Sequence, residues 1–128
     1  MYTGLIIEPP FFEIGPKAFM YGERMLRLAK AADAASARYD VRIILTPQPS
    51  DLYPLAQETE RVLLFAQHID PIEPGRGNGS ILAEAVRAAG AVGVILNHAE
   101  KPMTVADLAR AIKRADEAGL ATMVCADS

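Results

Sequence analysis

A histidine that ends an apolar run and enters a turn before a helix is well set to act on a carbonyl, and His98 has that setting. It lies in the segment Gly93-Val94-Ile95-Leu96-Asn97-His98-Ala99-Glu100. Backbone N–H groups at such a turn disfavour the imidazolium, and the neutral ring can donate a hydrogen bond to a substrate carbonyl and polarise it. Bonded instead to a neighbouring backbone carbonyl, the same ring would only fix the loop; the residues alone leave both readings open. Lys17, after Gly15-Pro16, brings a strongly hydrated point charge suited to a phosphate or an enolate oxygen. Its plain reading is a surface lysine at the start of a helix. Glu100 is fit to orient Lys17, to act on a proton, or to stabilise a helix N-terminus.

The remaining candidates read as structural. His68 is expected to be a structural or subunit-contact residue. No second histidine or carboxylate stands at ligand spacing on a shared helix face, so no metal site is expected, and no cofactor either. Cys125 reads as a small buried apolar residue. The loop Asp70-Pro71-Ile72-Glu73-Pro74-Gly75-Arg76-Gly77-Asn78-Gly79-Ser80 looks superficially like a phosphate cradle. It lacks the Gly-Lys-Ser/Thr ending and follows the third apolar run rather than the first, so a protruding loop inserted into a partner subunit fits equally well.

These residues must be carried by something, and the chain alternates regularly. The apolar runs are Leu5 to Ile14 (interrupted by Pro9-Pro10), Val41 to Thr46, Val62 to Ala66, Val92 to Leu96 and Ala121 to Cys125. Their apolar residues are nearly continuous, as in parallel strands buried on both faces. Helical periodicity fills 18–38, 50–59, 79–89 and 103–118. In the first helix Met25, Leu28, Ala29, Ala32 and Ala35 form one stripe, opposite Glu23, Arg27 and Lys30. In the last, Val105, Leu108, Ala109 and Ile112 form the stripe, opposite Asp107, Arg110 and Arg114. Ser50 and Thr104 stand where N-caps belong, Gly90 and Gly119 where helices stop. The result is an α/β fold of parallel β/α units, about five strands and four helices, in a single domain over 1–128. Polar residues cluster after each strand: Glu13 and Lys17, Thr46 and Gln48, Gln67, His68 and Asp70, Asn97, His98 and Glu100, then Asp127 and Ser128. In parallel α/β folds ligands bind at those carboxyl ends.

Composition narrows the partners. The 13 Lys and Arg against 16 Asp and Glu leave a net charge of −3, with no basic excess to neutralise nucleic-acid phosphates. The single cysteine excludes an intrachain disulfide framework and fits a reducing compartment. No apolar run approaches the roughly 20 residues of a membrane span, and Met1-Tyr2-Thr3-Gly4 lacks a basic signal-peptide start. The expectation is a cytoplasmic protein without nucleic-acid or membrane partners.

Two architectures use this alternation: an open doubly wound sheet, and a (β/α)₈ barrel, which takes about 250 residues. The chain stops at Ala126-Asp127-Ser128, just after the fifth run, and a strand buried on both faces wants cover. An incomplete barrel is therefore expected. A flavodoxin-like open sheet would instead need the first strand in its middle.

The chain resembles the N-terminal half of triosephosphate isomerase, particularly the archaeal type and its bacterial relatives. The resemblance rests on Phe65-Ala66-Gln67-His68-Ile69-Asp70-Pro71, Gly79-Ser80-Ile81-Leu82, Gly90 to Glu100, and Thr122-Met123-Val124-Cys125, in order and spacing, and covers nearly all of Pro10 to Ser128. It implies a TIM-barrel isomerase converting a short sugar phosphate between aldose and ketose through an enediolate. The family pairs a neutral electrophilic histidine with a glutamate base; this chemistry comes with the resemblance, and the residues by themselves do not yield it. On this footing His98, Lys17 and Glu100 are the catalytic residues, with Lys17 and Asn97 binding substrate. The loop at 72–79 corresponds to the family's intersubunit loop and implies a homodimer or homotetramer. Three departures stand out. Gly15 replaces the asparagine expected two before the lysine, and Asn78 the threonine of the intersubunit loop. The general-base glutamate, lid and phosphate loops belong beyond the fifth strand. The 128 residues alone are accordingly expected to be inactive. The alternative is a non-catalytic half-barrel that binds or assembles.

Overall fold

The computed structural model describes residues 4–127, so Ser128 and Met1 to Thr3 lie outside the described residues. Five parallel strands alternate with four helices: β1 (Phe11–Ile14), α1 (Gly22–Tyr39), β2 (Arg42–Leu45), α2 (Leu52–Glu58), β3 (Leu63–Ala66), α3 (Ala83–Ala89), β4 (Gly93–Leu96), α4 (Val105–Ala118) and β5 (Ala121–Val124). The sheet runs β1-β2-β3-β4-β5, every pair parallel, and curls into half of a barrel. Sequence neighbours are thus spatial neighbours throughout. With β1 at an edge, the flavodoxin-like arrangement is excluded.

The core lies between the sheet and the helices. Ile44, Leu45, Leu64, Ala66, Val94 and Leu96 are buried on β2 to β4, where near-continuous apolar runs do mark strands covered on both sides. Helix α1 buries Met25, Ala29, Ala32 and Ser36, one face at helical spacing, with Leu28 and Ala35 packed beside it. Gly93 is required by a close approach. A Cβ there would stand 2.4 Å from the ring of Phe65, its cross-strand partner, which is fully buried.

Several local expectations are corrected. The first strand is only Phe11–Ile14, because Pro9 and Pro10 offer no N–H to a ladder. It is exposed, Phe12 at 61%, and β5 alternates between half-buried and exposed residues; burial on both faces fails at both edges. Helix α1 begins at Gly22, after a turn in which the Phe19 N–H bonds Pro16 O, and α3 begins only at Ala83, past the glycine-rich loop. Ser50 is no N-cap: it sits inside a 3₁₀ turn, Pro49–Asp51. Buried Asp51 reaches across the chain instead, taking the Gly22 N–H at 3.1 and 3.2 Å at the start of α1. Thr104 does cap α4, its hydroxyl accepting the Asp107 N–H at 3.1 Å, and Gly90 and Gly119 end their helices in the left-handed region.

Helix α4 is turned from the face its apolar stripe suggests. Ala111 and Ala115 are buried with Leu108 beside them, while Val105 is 86% exposed and Ala109 and Ile112 are exposed too. Arg114, expected on the solvent side, is buried. It forms ion pairs with Glu84 and Glu117, and its Nε donates to Ile72 O at 2.8 Å. Small alanines allow the helix close to the sheet, and those polar partners satisfy the guanidinium.

Candidate functional site

The carboxyl ends of all five strands open onto one cavity of about 650 Å³, lined by residues that follow each strand in turn. Glu13 comes from the end of β1, with Lys17 in the turn beyond it. Thr46 and Gln48 follow β2, Gln67 and His68 follow β3, His98 and Glu100 follow β4, and Cys125 follows β5. Most of the polar layer seen in the sequence thus meets at a single rim; Asp70, Asn97 and Asp127 do not line it, and Ser128 lies outside the described residues.

His98 is about one-third exposed at this mouth. The Glu100 N–H donates to its Nδ1 at 3.1 Å. A nitrogen that accepts carries a lone pair, so this bond assigns the ring proton to Nε2, which is then the donor on the ring's other side. The anticipated backbone N–H thus comes from Glu100 itself. The Glu100 carboxylate lies 3.7 Å from Nδ1 and is mostly solvated.

Lys17 holds φ = 55°, a left-handed backbone unusual for a residue with a side chain. Its main-chain carbonyl is clamped: Gln67 Nε2 donates to it at 2.7 Å and Gln48 Nε2 at 3.3 Å. Gln67 Nε2 also reaches Thr46 O at 3.0 Å, and its Oε1 accepts from Gln48 Nε2 at 3.2 Å. These two amides fix the lysine's turn to β2 and β3, and Nζ bends back to Gly15 O at 3.1 Å.

Asn97, expected to bind substrate, has other work. It sits in the left-handed region with φ = 59°; its Nδ2 donates to Cys125 O at 3.0 Å and its Oδ1 accepts the Met103 N–H at 2.9 Å. Each end of the amide makes one hydrogen bond within the chain, joining β4 to the end of β5 and to the approach of α4, and so holds the turn that carries His98. His68 is buried and bonds Asp70 Oδ1 through Nε2 at 3.1 Å, while Asp70 Oδ2 takes the Ile81 N–H at 2.7 Å. Burial alone would raise the Asp70 carboxyl, but the Ile81 N–H and His68 outweigh it and hold it below its ordinary value. This clip closes the neck of the exposed 73–80 loop, the structural reading of His68.

Glu13, Gln48, Gln67 and Lys101 also line the mouth, without having been singled out for a role. Their signal was their place in the polar layer, or just past it for Lys101. Among the described residues no group of three or more His, Cys, Asp or Glu is placed to hold a metal, and no helix is long and apolar enough to cross a membrane.

A family model described as triosephosphate isomerase matches residues 16–128. The triosephosphate isomerase of Methanobacterium bryantii is 39% identical over 125 residues, which cover 96% of this chain and 55% of that protein. That of Methanothermus fervidus is 40% identical over 107 residues, 84% of this chain and 48% of that one. The solved triosephosphate isomerase of Bartonella henselae superposes with a TM-score of 0.75 at 23% identity, over 91% of this chain and 50% of that one, a likeness of fold. The chain spans about half the length of the relatives it matches.

Proposed function

The chain belongs to the triosephosphate isomerase family, and on that premise we propose that it supplies the electrophilic side of an isomerase interconverting a short aldose and ketose phosphate. In such a reaction a base takes a proton from the carbon beside the carbonyl. The electron pair moves onto the carbonyl oxygen to give an enediolate, and a proton returns to the other carbon. His98 donates from Nε2 to the oxygen that gains charge, and Lys17 balances that charge from across the mouth. Glu100 orients His98 through its own N–H and lends its carboxylate to the field around the ring.

The observation that carries this reading is the Glu100 N–H on His98 Nδ1, which leaves a proton on Nε2 in a cavity that Lys17 also lines. The test is an isomerase assay with dihydroxyacetone phosphate on the protein as its gene encodes it. His98→Ala should lower kcat by roughly 10²-fold or more, the scale of removing one such donor, with a much smaller change in KM. Turnover insensitive to His98 would overturn the assignment.

By the family pattern the proton acceptor and phosphate-binding loops are not among these 128 residues, so the 128 residues alone are proposed to lack appreciable turnover. Residues 1–128 are read as one domain, cytoplasmic in keeping with its lone cysteine, and the protein as its gene encodes it is read as a homodimer or homotetramer through the loop at 72–79.

A second reading, a non-catalytic half-barrel that assembles through its edges, draws support from the exposed Phe11 and Phe12 on β1 and the exposed Val105 and Ile112 on α4.

A further inference from the structure

Lys17 carries its charge on a long, exposed side chain. Among the described residues that side chain makes one hydrogen bond, from Nζ to Gly15 O at 3.1 Å. Such a stem keeps many rotamers open. Glu100, one candidate to orient it, lies instead beside His98, 3.7 Å from Nδ1. Another carboxylate is close at hand. A Cβ at Gly15 would stand 2.7 Å from Glu13 Oε1 and 3.1 Å from Lys17 Nζ. Carboxylate and ammonium thus lie over the same glycine, no further apart than those two distances laid end to end, and opposite charges within about 4–6 Å favour one another. A side chain at position 15, where the family pattern has asparagine, could enter only by pushing the carboxylate aside.

Glu13 is itself anchored. The same oxygen, Oε1, accepts the Thr46 hydroxyl at 3.2 Å, and Thr46 is buried just past β2 with its N–H on Ile14 O at 3.2 Å. The oxygen that leans over Gly15 is therefore the one a buried hydroxyl holds. Without Glu13 that hydroxyl still has Ile14 O, at 3.4 Å, so the fold does not depend on the bond. A carboxylate in this place weakens the lysine's field somewhat but fixes where the charge stands, and a preplaced charge is what an oxygen gaining electrons requires.

We infer that Glu13 is the positioning residue of the Lys17 ammonium, Thr46 pinning its Oε1 over Gly15 so that the carboxylate holds Nζ at the mouth before charge gathers on the substrate oxygen. This deepens the isomerase reading and rests on it; Glu13 touches no reacting atom and acts through the lysine.

The experiment measures kcat and KM for dihydroxyacetone phosphate in the protein as its gene encodes it, in Glu13→Gln, in Thr46→Val and in the double variant. Glu13→Gln keeps an acceptor for the Thr46 hydroxyl and removes only the charge. It should lower kcat by roughly tenfold, while KM stays level or falls, since a negative charge has left the path of an anionic substrate. Thr46→Val should lower kcat about threefold alone and add almost nothing to Glu13→Gln, because the hydroxyl acts through the carboxylate. Glu13 is exposed, so Glu13→Gln should melt with the wild type; a loss of kcat that tracked a lowered melting point would mark a structural role and overturn the inference. So would a kcat unchanged or raised by Glu13→Gln, or a Thr46→Val loss of equal size in both backgrounds, and each of these leaves the isomerase reading standing. A wild type that turns over no dihydroxyacetone phosphate overturns that reading, and the inference with it.

Discussion

Lys17 is held by its backbone as firmly as by anything its side chain touches. Non-glycine residues in the left-handed region are strained by about 1–2 kcal/mol, and here the clamp of Gln67 and Gln48 on the Lys17 carbonyl holds the turn in place. Gln67→Leu removes the shorter of the two bonds. It is expected to lower kcat by about tenfold, because a misplaced charge near the reacting atoms is costly, with KM much less affected. Steady-state kinetics of that variant beside Gln67→Glu, which keeps the shape but offers no N–H, checks the point: a merely structural role would show in melting and leave kcat in place. The sequence displays both glutamines in the polar layer after β2 and β3. Their task was hidden because the partner is a main-chain oxygen, 50 residues away for Gln67. The bonds of Asn97 were hidden for the same reason: side-chain type announces a polar residue but not which main-chain groups its amide joins.

At the scale of the elements, the connection from α2 into β3 is pinned by one side chain of α1. Asp33 accepts the N–H groups of Glu60, Arg61 and Val62, at 2.6 Å for Arg61. Burial pushes its carboxyl up, but these backbone donors and the Arg61 charge outweigh that and hold it below its ordinary value. A carboxylate depressed on folding stabilises above its unfolded pKa, and that stabilisation fades as pH falls through the folded value. Asp33→Ala should therefore cost about 1–2 kcal/mol at neutral pH, and the urea midpoints of variant and wild type should draw together as the solution is acidified below the carboxylate range. A gap that persisted in acid would show that the loss is packing. The sheet allows a second check. Gly93→Ala drives a methyl into the Phe65 ring and should destabilise by about 1–3 kcal/mol by the same urea titration. Strands and helices were legible at this scale because periodicity reports burial directly. The orientation of α4 was not: alanines carry little hydrophobic signal, and Arg114 is buried only because Glu84, Glu117 and Ile72 O meet it from other elements or a later turn.

For the whole molecule, the strand order is the fact with the longest reach. The sheet's two edges, at β1 and β5, carry exposed Phe11, Phe12 and Val124, and unpaired strand edges are templates for pairing. Light scattering on the 128-residue chain separates the two readings of it. The assembly reading expects one dimer of defined mass, while the isomerase reading expects polydisperse association that Phe12→Lys reduces. The half-barrel itself was foreseeable from the βα rhythm and the family likeness. The exposure of β1 was not, because apolar runs look alike whether or not anything lies against them. The sequential order has a further result. Each βα step delivers its own rim residues and packs its strand on those before and after it, with Gln67, among the described residues, reaching one step further, to Lys17, so the mouth is assembled like staves in a cask. Exchanging one stave with that of a relative would transplant a single rim position together with its carrier and disturb two seams. Chimaeras cut at the loops would thus let substrate preference be moved piecewise between homologues, without redesigning a core.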